Sequence, residues 1–161
     1  LQMRAGSEIR GMGTENWGFF CLSPNPSELT GDKNEDSMVL LFRYGAFRML
    51  FTGDLEGAAE KKLAETSQAA LRADVLKVGH HGSSTSSHDA FLEAVCPEYA
   101  VISCAYQNEY GHPNEKTLQR LRGIHAKILR TDQNGTVVFE TNGSSLRCRA
   151  ERSVNTLFAN H

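Results

Sequence analysis

One stretch constrains this chain more than any other: Val75-Leu76-Lys77-Val78-Gly79-His80-His81-Gly82, followed by the hydroxyl row Ser83-Ser84-Thr85-Ser86-Ser87. A short, β-branched apolar run reads as a buried strand. Gly79 stops it, and two adjacent imidazoles stand where the strand ends. In open α/β sheets the carboxyl ends of strands are where ligands sit. Imidazole is a common zinc ligand and is neutral, hence able to ligate, near pH 7. A lone histidine in a polar loop invites no functional reading. Two in tandem between glycines at a strand end do.

The segments before this stretch supply a hairpin and a helix. Residues 1–16 are polar and Gly-rich and read as an extended or loosely held lead-in. Trp17 to Leu22 is a strand ended by Ser23-Pro24-Asn25-Pro26, because proline cannot donate to a ladder. Ser27 to Asp36 is a polar loop. Met38 to Phe42 is apolar on both faces, as a central strand is, and Phe47 to Phe51 returns after the turn at Tyr44-Gly45. Leu55, Ala58, Ala59 and Leu63 recur at helical spacing, which predicts a helix from about Glu56 to Gln68. Asp54 falls at the junction of strand and helix. It can serve as an N-cap or as a metal ligand, and the two roles are compatible.

Beyond the histidines the alternation continues. Ser87 is placed to cap a helix through Ala90 and Val95, and Tyr99 to Cys104 is the next strand. Ala105 to His112 is a loop, and Pro113 suits the first turn of a helix that ends at Gly123. Lys127 to Arg130 and Thr136 to Glu140 are strands separated by a turn over Asp132 to Gly135. Asn142-Gly143 then signals a hairpin with Leu146 to Arg149, and the end from about residue 150 reads as frayed. Strands and helices in alternation, with hairpins at either end, give an α/β fold with a mixed sheet. Its 161 residues suit one domain. The loops holding Asp54, His80-His81 and His112 all follow strands. Adjacent strands bring them to one edge, where a carboxylate and imidazoles form a ligand set of zinc or manganese type.

Composition narrows the function classes. A net charge of −2 argues against a general electrostatic grip on nucleic acid. No apolar run approaches the ~20 residues that span a bilayer, and the first residues lack the apolar core of a signal peptide. The four cysteines, Cys21, Cys96, Cys104 and Cys148, show no Cys-x-x-Cys spacing, and each lies in or beside an apolar run, where free cysteine behaves as a small buried hydrophobe. Disulfides are permitted but not demanded.

Thr52-Gly53-Asp54, Leu76 to Ser83, Tyr110-Gly111-His112-Pro113 and Thr131-Asp132-Gln133-Asn134-Gly135, in that order, resemble the metallo-β-lactamase-like domain of ComEC-type competence proteins. The likeness runs from about Cys21 to Glu140. It implies the second half of an αββα sandwich, a mixed sheet flanked by helices, with two divalent metal ions, zinc or manganese, at its edge in the complete domain. It implies that Asp54 bridges the metals and that His80 or His81 completes the second site, His80 being favoured. Asn34 stands near where many members have another ligand histidine and is left out of the set. The superfamily's His-x-His-x-Asp-His motif is absent from this chain, so the missing first half of the same domain is expected as a partner, and the metal grip of this part alone is expected to be weak and open.

The resemblance further implies a phosphodiesterase or nuclease acting on DNA during competence-linked uptake, joined to the membrane channel of a parent protein on the outer face of the cell membrane. His112 would contact substrate phosphate or give a proton to the leaving group. Lys77, Ser83 and Ser84 would hold phosphate oxygens; read blandly, they are a strand residue and a capped loop. Asp54, His80 and His112 are thus the catalytic candidates. His88 and His125 fall in no motif. Two other outcomes stay open: hydrolysis of another phosphoester, such as a cell-wall phosphocholine ester, and a non-catalytic half-domain.

Overall fold

The computed structural model describes residues 3–11 and 16–152. Seven strands form one sheet in strictly sequential order: β1 (Glu8–Arg10), β2 (Trp17–Ser23), β3 (Val39–Tyr44), β4 (Phe47–Phe51), β5 (Val75–Lys77), β6 (Tyr99–Ile102) and β7 (Lys127–Arg130). Strands β1 to β4 pair antiparallel, and β4 to β7 pair parallel. The change of direction follows from the connections. The Tyr44-Gly45 turn is short enough for a hairpin, whereas each later link carries a helix: α1 (Gly57–Leu71), α2 (Asp89–Val95) and α3 (Glu115–Gly123). The one-turn helix α4 (Thr131–Asn134) then leads to a separate two-stranded sheet, β8 (Val137–Thr141) and β9 (Leu146–Ala150).

The two faces of the large sheet differ. Leu41, Leu50, Leu76, Ala100 and Ile128 lie opposite one another across five strands. This row packs into a single core with Leu55, Leu63 and Leu71 of the α1 region, Phe91 and Leu92 of α2, and Leu118 and Leu121 of α3. The other face carries Phe19, Phe42, Met49 and Phe51, all half-buried. The β8–β9 hairpin reaches that face, where Phe139 meets Tyr99 edge-on at 5.5 Å. The result is the expected α/β arrangement of a mixed sheet with helices, arranged as one helix layer and one sheet with a hairpin behind it.

Several local expectations change. Part of the lead-in is a paired edge strand, β1, although residues 1–2 and 12–15 lie outside the described residues. Helix α1 continues to Leu71 past a break at Ser67 (φ −131°), which lets Leu71 reach the core, fully buried. Ser87 does not cap α2. His88 holds the cap position, and the Ser87 and His88 N–H groups both donate to the buried Glu60 carboxylate, at 2.7 and 2.9 Å. Cys96 is exposed rather than buried, since it closes α2 in the left-handed region (φ 47°). All four cysteines are free. The β8–β9 loop is four residues long, Asn142 to Ser145, and the Asn142 side chain accepts from the N–H groups of Ser144 and Ser145. Of the tail expected to fray, Ala150 belongs to β9 and the Glu151 N–H donates to Thr136 O. Residues 153–161 lie outside the described residues.

Candidate metal and phosphate site

Parallel pairing of β4, β5, β6 and β7 puts their carboxyl ends on one rim. The turn after β4 is closed by the Leu55 N–H to Thr52 O bond, and Thr52 Oγ1 donates to Lys77 O of the next strand at 2.9 Å. Gly53 sits at φ 55°, a conformation costly for a residue with a Cβ. The Asp54 N–H donates to Ser37 Oγ at 3.1 Å. Asp54 is not the cap of α1: Glu56 is, and no side chain caps that end. The Asp54 carboxylate is left facing the rim.

The two histidines follow β5 in consecutive left-handed conformations, φ 44° and 52°. Each costs on the order of 1–3 kcal/mol unless the surroundings over-determine it. Here they do. The His80 N–H donates to Gly53 O and its carbonyl accepts from the Ser83 N–H. The flanking glycines are required by space: a Cβ on Gly79 would stand 2.8 Å from Leu55 O, and one on Gly82 would stand 2.7 Å from Pro113 Cβ.

Consecutive left-handed residues aim the two rings apart. His80 Nδ1 lies 2.9 Å from Glu56 Oε2. His81 Nδ1 lies 2.7 Å from Ser103 O. A carboxylate and a carbonyl only accept, so each Nδ1 carries a proton, and in the neutral ring each Nε2 keeps its lone pair. The Nε2 of His81 faces Asp54 Oδ1 at 3.6 Å. The structure thus brings His81 to Asp54 and gives His80 to Glu56, where the sequence favoured His80 as the partner of Asp54. Among the described residues no group of three or more His, Cys, Asp or Glu side chains is arranged to hold a metal. Asp54 and His81 offer an oxygen and a nitrogen suited to zinc or manganese, which is part of a ligand shell and not a whole one.

Glu56 is the residue the sequence reading missed. Its carboxylate accepts from His80, from Asn34 Nδ2 at 2.9 Å, and from the Thr85 hydroxyl. Burial alone would push this carboxyl up, but the bonds from Thr85, Asn34 and His80 outweigh it and hold the group below the ordinary carboxylate range. The signal was present, since Glu56 stands two residues after Asp54. Nothing in the sequence tied it to His80 or to Asn34.

His112 reaches the same rim from the loop after β6. Its ring lies edge-on to His80, with centroids 5.6 Å apart. Burial first, then the neighbouring His80 and His81, push its pKa below the ordinary histidine value. Its buried Nδ1 has no partner among the described residues. The Lys77 ammonium donates to Gly53 O at 3.2 Å, and burial lowers its pKa against the pull of Asp54. Ser83 is buried, its hydroxyl bonded to Thr85 Oγ1 and its carbonyl accepting from Thr117. Ser84 is half-buried, with its carbonyl held by Arg120. Both serines therefore brace the loop. His88 lies away from the rim, its Nδ1 bonded to Glu60 at 2.7 Å.

The rim is completed by a cluster that the sequence read as a turn. Asp132 takes two bonds from Arg130, at 3.0 and 2.6 Å, and one from the Cys104 thiol. Thr131 Oγ1 accepts from the Cys104 N–H and donates to its carbonyl. These bonds lock the ends of β6 and β7 together, next to the Ser103 carbonyl that orients His81.

The family model of the metallo-beta-lactamase superfamily matches residues 22–106. The chain is 40% identical over 121 residues to ComE operon protein 3 of Bacillus subtilis, covering 75% of this chain and 15% of that protein. It is 45% identical over 115 residues to competence protein ComA of Neisseria gonorrhoeae, covering 71% of this chain and 17% of that protein. It is 35% identical over 119 residues to recombination protein 2 of Haemophilus influenzae, covering 74% of this chain and 15% of that protein. The chain therefore spans only 15 to 17% of the length of these relatives.

Proposed function

The chain belongs to the metallo-beta-lactamase superfamily, and from that premise we propose that it supplies the second half of a divalent-metal phosphodiesterase that cuts DNA during competence-linked uptake. The observation that carries this reading is the pairing of Asp54 Oδ1 with the lone pair of His81 Nε2, 3.6 Å apart on a rim of strand ends. Zinc or manganese bound there would lower the pKa of a coordinated water and draw charge from the phosphoryl oxygens. The remaining ligands come from outside the described residues. The names of the relatives support the place of the reaction: two carry "competence" or the ComE operon in their names.

The chain's own groups divide the work. Asp54 and His81 contribute ligands. Glu56 fixes the ring of His80, leaving its Nε2 free toward the rim. His112, whose pKa burial and its neighbours push below the ordinary histidine value, stands ready to hold a phosphate oxygen through a ring N–H. Among the described residues no helix is long and apolar enough to cross a membrane.

The test is cleavage of DNA by the full-length protein with manganese or zinc, compared with an Asp54→Asn variant. Metal-dependent cleavage abolished by the substitution is expected. A folded wild-type protein that cuts no DNA with any divalent ion overturns the reading.

A further inference from the structure

Among the described residues only two Phe, Tyr or Trp side chains are exposed, Tyr106 at 73% and Tyr110 at 74%. Both lie on one eight-residue loop, Ala105 to His112, beside the rim. The loop is held in shape by a single side chain. Asn108 Nδ2 donates to Ala105 O and His112 O, and Asn108 Oδ1 accepts from the His112 N–H. The tyrosines are thus displayed on a fixed loop. Tyr110 stacks on His112 with planes 23° apart and centroids at 6.1 Å, and His112 in turn meets His80 at 5.6 Å. A line of rings runs from the site outward and ends on the open face of Tyr110. The Tyr106 hydroxyl accepts from Gln107 Nε2, which ties the second ring to the same loop.

We propose that Tyr106 and Tyr110 form a stacking platform for unpaired bases of a single DNA strand whose phosphodiester lies at the Asp54–His81 rim, a proposal that rests on the phosphodiesterase reading above. Charge selects bases over phosphates as the contact. The loop holds no lysine or arginine, and Glu109 stands between the two tyrosines, so the sugar–phosphate chain gains nothing there. Every base offers a π face, so such a platform is indifferent to sequence and selects single strands over duplex, whose bases are already stacked. It also lets a chain of net charge −2 hold nucleic acid without a basic patch.

The test uses the full-length protein and its Tyr110→Ala, Tyr106→Ala/Tyr110→Ala and Tyr110→Trp variants. Fluorescence anisotropy measures binding of a single-stranded oligothymidine, and of an abasic sugar–phosphate oligomer of the same length, while manganese-dependent cutting of the oligothymidine is followed in parallel. Loss of single-strand affinity on the order of tenfold or more per stacked base is expected in the alanine variants, with recovery in Tyr110→Trp and no such loss on the abasic oligomer. Unchanged affinity in the double variant, or an equal loss on the abasic oligomer, overturns the platform while wild-type cutting leaves the proposed function standing. A wild-type protein that neither binds nor cuts the oligothymidine overturns both.

Discussion

His81 Nε2 stands 3.6 Å from Asp54 Oδ1, too far for a hydrogen bond and a fitting separation for two ligands of one ion with bonds of about 2.0–2.2 Å. The Ser103 carbonyl, on Nδ1 of the same ring, decides which nitrogen is bare. In their neutral form both His80 and His81 are expected to carry the proton on Nδ1 in the metal-free protein. Long-range proton–nitrogen NMR of the imidazoles reads this directly, and a proton on His81 Nε2 would remove the ligand.

Glu56 orients His80 without reaching the Asp54–His81 pair. Glu56→Gln keeps the size of the side chain but loses the charge that holds the His80 Nδ1 proton. Substitutions behind an active-site histidine commonly cost about 10- to 100-fold in metal affinity or activity, and a fall of that size in DNA cleavage with an unchanged melting temperature is expected. A drop in melting temperature without a change in cleavage would make Glu56 a purely structural tie.

Asp132 gives the fold an acid-side weakness. Burial pushes its carboxyl up, but the bonds from Arg130 and the Cys104 thiol outweigh it and hold the group below the ordinary range. A folded-state pKa below the unfolded one gives stability that is present above the unfolded value and lost as pH falls through the folded one. Urea midpoints should therefore drop from about pH 4 downward, and Asp132→Asn should flatten that part of the profile. The same variant should cost about 1–3 kcal/mol at neutral pH, because it leaves the half-buried Arg130 poorly satisfied.

Leu76 lies at the middle of the central parallel strand, fully buried between the sheet and the helices. Leu76→Ala is expected to cost about 2–5 kcal/mol. Since the next residues carry His80 and His81, loss of the rim should follow loss of the core. Chemical denaturation measures the first effect and the histidine NMR spectrum the second.

Much of the frame was legible because it follows from local chemistry. The apolar run Phe47 to Phe51, the strand from Val75 and the strand Lys127 to Arg130 are all where the pattern of side chains put them. Parallel order then delivered the three loops to one rim. What the sequence did not disclose depends on contacts between distant segments. Burial of Glu60 replaced Ser87 as the organiser of the start of α2. The assignment of His80 to Glu56 and His81 to Asp54 arises from two successive left-handed residues, which histidine adopts only where surrounding bonds enforce it. Asn34, passed over as a ligand, turned out to hold Glu56 from 22 residues away.

The most direct measurement is calorimetric titration of manganese and zinc into the full-length protein, wild type beside Asp54→Asn, His81→Ala and His80→Ala. Asp54→Asn and His81→Ala should each abolish or strongly weaken the same binding event, and His80→Ala should weaken it less. Binding that survives loss of both Asp54 and His81 would contradict the shared-ion site.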